Sequence, residues 1–132
     1  MFVISRQTRS EASAICTEAA LGNGLVAIPT ELHHAYIVSQ IAMQPELRVN
    51  SSTSYNDYWT SGENVIDGVW TWSTTLQPFN YTKFWPEHNP STGYVSLYDN
   101  RNINPSPYYD WDSRLSPETS QRSICQHFVL SS

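Results

Sequence analysis

Charge is scarce in this chain. Only 14% of its 132 residues are Asp, Glu, Lys or Arg, and the formal net charge is −5. The seven basic residues (Arg6, Arg9, Arg48, Lys83, Arg101, Arg114 and Arg122) are scattered and form no run. A nucleic-acid binder needs a basic patch or stripe, so this balance speaks against that class. No apolar run is long enough to span a bilayer. The motifs of common enzymes are missing too: no His-Glu-x-x-His, no Gly-x-Ser-x-Gly, no Gly-rich phosphate loop. His33 and His34 fall in a helical pattern without a Cys or Ser nucleophile context, and His33 reads as a surface residue. Glu87 and Asp112 are of a type that serves glycoside chemistry. Nothing beyond their acidity supports that use, so the expectation is a protein that is not an enzyme. No internal repeat is visible.

Cysteine is limited to Cys16 and Cys125, which bracket almost the whole chain. Two readings stand side by side. The pair is either bridged or two separate buried thiols, since free Cys is among the most buried residue types. A bridge would close a loop of roughly 100 residues and remove about 4–5 kcal/mol of unfolded-state entropy in the chain-entropy model. It would also imply an oxidising compartment. Asn50-Ser51-Ser52 and Asn80-Tyr81-Thr82 are N-glycosylation acceptor triplets, each weak alone. Met1-Phe2-Val3-Ile4 is too short for the apolar core of a leader and reads as a strand. Either a leader has been removed or the protein is cytosolic. The triplets and the cysteines favour removal, hence an extracellular, secreted or ectodomain location.

What the chain does have is aromatic surface. Aromatics make up 13% of it, with 5 Trp and 8 Tyr. That is unlike a disordered chain and suits a packed domain or a binding surface. The length fits a single domain, 1–132, able to bury a real core. Phe2 to Ser5 reads as a strand. Ala12, Ile15, Cys16 and Ala19 share a helical face, with Thr8 or Ser10 as cap and the Gly22-Asn23-Gly24 run as stop. Leu25 to Ile28 is a buried strand or packed connector. A second helix opens at Pro29-Thr30-Glu31 with Thr30 as cap, carries an apolar stripe of Leu32, Ala35, Tyr36, Val38, Ile41 and Ala42, and stops at Pro45. Helical periodicity then disappears. Tyr58 to Thr60 and Val69 to Ser73 are strand-like around a Gly62–Gly68 turn region, and residues 74–93 are loop-like. Tyr94 to Tyr98, Tyr108 to Asp112 and Ser123 to Val129 are further strands. Helices first and short strands later make an α+β arrangement.

That order of elements, with its punctuating residues, resembles the C-type lectin-like domain. The resemblance runs from Phe2 to about Val129. It is carried by RSEASAIC for the first helix and its cysteine, by GLVAIPTELHHAYI for a Leu-x-x-Ile run followed by a Glu-bearing helix, and by YWTSG where the family has Trp-Ile-Gly. VWTWS stands for a Trp-x-Trp strand, FWPEHNP for the segment around Glu-Pro-Asn, DWDS for the Trp-Asn-Asp strand, and SICQ for the terminal cysteine. The resemblance implies two helices, small antiparallel sheets and a long loop region at about 74–115. It implies chain ends joined by the Cys16–Cys125 bridge. A second family disulfide falls on Tyr94 and about Ser116, and both its members are absent.

The family's calcium ion is held by the Glu and Asn of Glu-Pro-Asn, by an upstream Glu, and by the Asn and Asp of Trp-Asn-Asp. Carried over, Glu87 and Asn89 match, while His88 stands where the family has a cis proline, and a non-proline cis bond costs about 3–4 kcal/mol. The upstream Glu falls near Thr92 or Gly93 and is absent. Trp111-Asp112-Ser113 matches the third motif, with Asp112 for Asn and Ser113 for Asp. The implied ligand-binding set is therefore Glu87, His88, Asn89, Trp111, Asp112 and Ser113, with Glu87, Asn89 and Asp112 as the remaining calcium ligands. Calcium takes 6–8 oxygen ligands, so this set is degraded. Alternatively, Glu87 and Asn89 organise the loop by hydrogen bonds and Trp111 is core, or His88 with Glu87 and Asp112 holds a transition metal. By family position Trp59, Trp70, Trp72 and Trp111 are core. Tyr81, Phe84, Trp85, Tyr98, Tyr108 and Tyr109 fall in or near the loops, where they either pack the loops or meet a ligand. The expected function is extracellular recognition of a glycan with altered calcium dependence; the alternative is calcium-independent binding of a cell-surface protein partner.

Overall fold

The computed structural model describes residues 2–18, 24–44, 47, 57–65, 68–85, 92–99, 109–114 and 116–126. Strand β1 (Phe2–Gln7) leads directly into helix α1 (Arg9–Glu18). The helix starts there because Thr8 and Glu11 form a capping box. The Thr8 amide donates to Glu11 Oε1 at 2.9 Å, and the Glu11 amide donates back to Thr8 Oγ1 at 3.4 Å. These bonds hold the Glu11 carboxyl below its usual range. Helix α2 (Glu31–Met43) is capped by Thr30, whose hydroxyl oxygen accepts from the His33 amide. Both helix starts agree with the sequence.

The apolar stripe expected on α2 agrees in part, at Ile41 and Val38. The buried residues are His34, Ile37 and Ile41, whereas Leu32 is 81% exposed, Tyr36 65% and Met43 72%. Helix α2 carries apolar residues on several sides, so periodicity alone could not choose the inner one. On α1 the inward residues are Ala12 and Cys16, while Ile15 faces out.

The strands form one mixed sheet. Strand β2 (Tyr58–Asn64) is its centre. One edge of β2 pairs along its length with β5 (Gly93–Asp99). The other edge takes β7 (Gln121–Ile124) at Tyr58 and Trp59, then β3 (Thr71–Trp72) at Gly62 and Glu63. Strand β1 lies outside β7, a short β4 (Gln77–Pro78) outside β3, and β6 (Tyr109–Arg114) outside β5. The pairs are antiparallel, as expected, except β2–β7, which is parallel. A parallel pair needs a long crossover connection, and β7 follows β2 after several intervening strands. The expected long loop region at 74–115 is interrupted by β4, β5 and β6. Leu25 to Ile28 is a packed connector: Leu25, Ala27 and Ile28 are buried, and Leu25 bridges Cys125.

Gly62 was expected in a turn but lies inside β2. A Cβ there would stand 2.9 Å from Phe79 Cζ and 2.9 Å from Val95 Cβ. The glycine lets the sheet and the Phe79 ring close on each other. Gly62→Ala is therefore expected to cost about 1–3 kcal/mol through overpacking. Chemical denaturation checks this, and an unchanged midpoint would refute it.

The Cys16–Cys125 bridge is formed, over a sequence separation of 109. Around it a small core of Ala12, Leu25 and Trp59 joins α1 to the sheet. The main core holds Ile28, Ile37, Ile41, Leu47, Tyr58, Trp72, Val95, Leu97 and Trp111. Trp59, Trp72 and Trp111 are fully buried, as their family positions implied, and Trp70 is half-buried. At the position of the missing second disulfide, the Arg9 guanidinium lies over the Tyr94 ring at 4.8 Å and pairs with Glu63 at 3.2 Å. Those contacts tie α1 to β2 and β5 without a covalent link.

Candidate functional site

Strand β6 organises the candidate site. Its backbone pairs with β5 on one side, Asp112 opposite Ser96 and Ser113 opposite Val95. On the other side it meets the segment 83–85: the Trp111 amide donates to the Lys83 carbonyl at 2.8 Å, and the Trp85 amide donates to the Trp111 carbonyl at 3.1 Å. Residues along a strand alternate sides. Trp111 accordingly turns inward, with 0% exposure, while Asp112 turns to the other face and is half-buried.

Trp111 is the hub of an aromatic cluster. Trp72, Phe79, Tyr81 and Phe84 all meet its ring edge to face, with centroids 5.4, 5.6, 5.5 and 5.7 Å away. Such pairs add to simple burial because ring edges and faces carry opposite partial charge. Phe84 and Tyr81 therefore pack the loop segment onto the core. Tyr109 is also core, at 2% exposure. The expectation that Trp111 touches a ligand is corrected here: a side chain with no exposed surface supports the face from below.

The Trp111 indole Nε1–H donates to His34 Nδ1 at 3.2 Å. That bond makes Nδ1 an acceptor, so the ring's hydrogen sits on Nε2 and is donated to the Tyr109 carbonyl at 3.0 Å. Burial, more than any neighbouring charge, holds the His34 imidazole below its usual range.

Above this support lies one contact between expected site residues and a residue that sequence reasoning left undecided. The Trp85 indole Nε1–H donates to Asp112 Oδ1 at 3.2 Å, and both side chains are half-buried. Trp85 and Asp112 are 27 residues apart, and no local signal couples them. Ser113, half-buried, is the next residue on β6.

Of the expected ligand set, Trp111, Asp112 and Ser113 are consecutive on one strand. Glu87, His88 and Asn89 lie outside the described residues, as do Asn50 and Tyr108. Asn80 is exposed. Among the described residues no group of three or more His, Cys, Asp or Glu side chains is arranged to hold a metal ion. The one expected metal ligand that is described, Asp112, already accepts from an indole. Among the described residues no helix is long and apolar enough to cross a membrane.

No protein-family model matches the sequence, and no curated protein matches it. Solved structures do. The calcium-independent C-type lectin SPL-2 from Saxidomus purpuratus superposes with a TM-score of 0.71 at 15% identity, over 92% of this chain and 80% of that one. The C-type lectin domain of murine dendritic cell inhibitory receptor 2, solved with an N-glycan, gives 0.64 at 18% identity, over 90% and 80%. A calcium-independent type II antifreeze protein gives 0.67 at 19% identity, over 94% and 81%. The fold thus occurs in lectins and in antifreeze proteins, calcium-independent ones among them. This chain has the C-type lectin-like fold, with two helices, a mixed sheet and a disulfide from Cys16 in the first helix to Cys125 beside the last strand.

Proposed function

We propose that this chain is an extracellular, non-catalytic carbohydrate-binding module whose ligand face is built on Trp85, Asp112 and Ser113 and depends little on calcium. The Trp85–Asp112 hydrogen bond carries the reading. Sugar rings offer hydroxyl donors along one edge and apolar C–H groups on a face. A carboxylate oxygen is an acceptor for such hydroxyls. The half-exposed indole beside it is a surface on which a sugar face stacks. A cation at Asp112 would have to compete with the indole N–H for Oδ1, and Ser113 is a poor substitute for a carboxylate ligand. The sugar-bound and calcium-independent lectins that share the fold support this reading.

A glycan array in calcium and in chelator tests it. Binding that persists in chelator is expected, and Asp112→Ala and Trp85→Ala should each weaken it by at least about tenfold, the value of one lost hydrogen bond or stacking contact. A thermal melt should move little on adding calcium, because only binding to the native state raises stability. A large calcium-dependent rise would overturn the calcium part of the proposal, and a blank array the carbohydrate part.

The second reading, a calcium-independent protein partner, is favoured by α2. Leu32, Tyr36 and Met43 lie on its outer side at 81%, 65% and 72% exposure. Exposed apolar clusters of this kind mark protein contacts. Under that reading the array is blank and pull-down is abolished by Leu32→Glu with Met43→Glu.

A further inference from the structure

The His34–Trp111 contact has a chemical property that binding alone does not need. It exists in only one protonation state. With His34 neutral, Nδ1 accepts the indole hydrogen at 3.2 Å while Nε2–H is held by the Tyr109 carbonyl at 3.0 Å. Protonation puts a hydrogen on Nδ1, so two donors then face each other inside the protein. Neither partner can turn away cheaply. His34 is 5% exposed and Trp111 0%, and the Trp111 ring is wedged among four other aromatic rings.

The strain would travel a short, defined route. Trp111 and the segment 83–85 are bonded backbone to backbone at 2.8 and 3.1 Å. That segment carries Trp85, and β6 carries Asp112. We propose that His34 is an acid-sensitive latch: its neutral ring locks Trp111 and the 83–85 segment against α2, and its protonation loosens the Trp85–Asp112 face. In a binding module such a latch releases ligand in acid. Only that last consequence rests on the carbohydrate reading.

The charged and titratable groups around His34 come from three elements. Glu31 on α2 itself and Asp110 on β6 favour the protonated ring, while Lys83 opposes it. Tyr109 and Trp111 on β6 supply its two hydrogen-bond partners. Burial outweighs the acidic neighbours, so the folded protein resists the proton more than the unfolded chain does. The sign follows. Above the ordinary histidine value of about 6.5 the ring is neutral in both states and its bonds contribute in full. As pH falls below that value, the unfolded chain takes up a proton first. Stability then drops until the folded ring also titrates.

The test needs no ligand. The indole N–H signals of Trp111 and Trp85 and the ring signals of His34 are followed by NMR on the intact chain from about pH 7.5 to about pH 4.5, where histidine charges change. The expected result is a one-proton transition at His34, below the ordinary histidine value, that moves both indole signals together. The unfolding equilibrium constant should rise by up to tenfold per pH unit across the same range. His34→Gln keeps an acceptor and a donor but cannot be protonated, so its indole signals and its stability should stay flat there; carboxylate titration near the lower end is shared by both proteins and cancels. His33→Gln, on the exposed neighbour, should behave like the parent. If His34 titrates without moving Trp111, or if the parent and His34→Gln show the same pH dependence, there is no latch. If His34→Gln fails to fold, the parent's own signals decide: indoles that ignore the histidine transition overturn the proposal. An array that is blank at every pH would sink the carbohydrate reading and leave these signals untouched.

Discussion

Replacing Cys16 and Cys125 together by alanine is expected to destabilise the protein by about 4–5 kcal/mol, a shift in melting temperature on the order of 15 °C. The bridge spans a separation of 109, so the cross-linked unfolded chain loses much of its freedom. The native state adds to the effect. Cys16 is 1% exposed and Cys125 3%, in a small core with Ala12, Leu25 and Trp59. Around Cys125 the chain's end is stitched to its beginning by bonds that assume the bridge is in place. The Val26 amide donates to the Ile124 carbonyl and the Gln126 amide to the Gly24 carbonyl, each at 2.9 Å, and the Ala27 amide donates to Gln126 Oε1 at 2.8 Å. Such a loss is a quarter or more of the stability of an ordinary domain, about 5–15 kcal/mol in all. Denaturant titration of the variant against the oxidised parent measures it. A difference below about 1 kcal/mol would show that the two ends hold together without the bridge.

Trp111→Leu should cost about 3–5 kcal/mol, as large-to-small changes of buried aromatics do. The site has little means of collapsing, because four rings, from β3 and the segment 79–84, meet at this side chain. The hydrogen bond to His34 is a separable part of that cost. Trp111→Phe keeps a ring but leaves His34 Nδ1 buried without its donor, which costs about 1–3 kcal/mol. The ordering Leu worse than Phe, and Phe worse than the parent, is the expected outcome of denaturant titration on the three proteins. A Phe variant as stable as the parent would mean the indole N–H contributes nothing, and the acid-sensitive contact would lose its basis.

Much of the fold was legible because its signals are short-range. Thr8 with Glu11 and Thr30 with His33 are caps within one helical turn, and they set both helix starts. The second helix ends at Met43, close to where the sequence predicts. Runs such as Tyr94 to Tyr98 alternate along the chain and became β5 with one residue added at each end. Gly62 was misread because glycine signals a turn and a close approach alike. Only the Val95 and Phe79 atoms at 2.9 Å decide between them. Strand β4 was missed because two residues ending in Pro78 carry too little pattern.

The candidate site was legible by half. Asp112 and Ser113 could be found because a spaced motif marks the strand that carries them. Trp85 could be placed in the loops but not assigned a partner, and His34 looked like one more helix residue.

The sequence by itself determined where both helices begin and roughly where most strands lie, that the chain is rich in core aromatics, and which two cysteines were available to tie its ends. Those depend on neighbours within a few residues, whose geometry the backbone dictates. The tertiary structure alone decided that His34 rather than Leu32 faces inward, that the Trp111 indole donates to His34, and that Trp85 meets Asp112. Each of those choices joins residues 27 to 77 positions apart, or turns a helix that is apolar on more than one side. Such choices are settled by the summed packing and hydrogen bonding of the whole chain, where no local preference points one way.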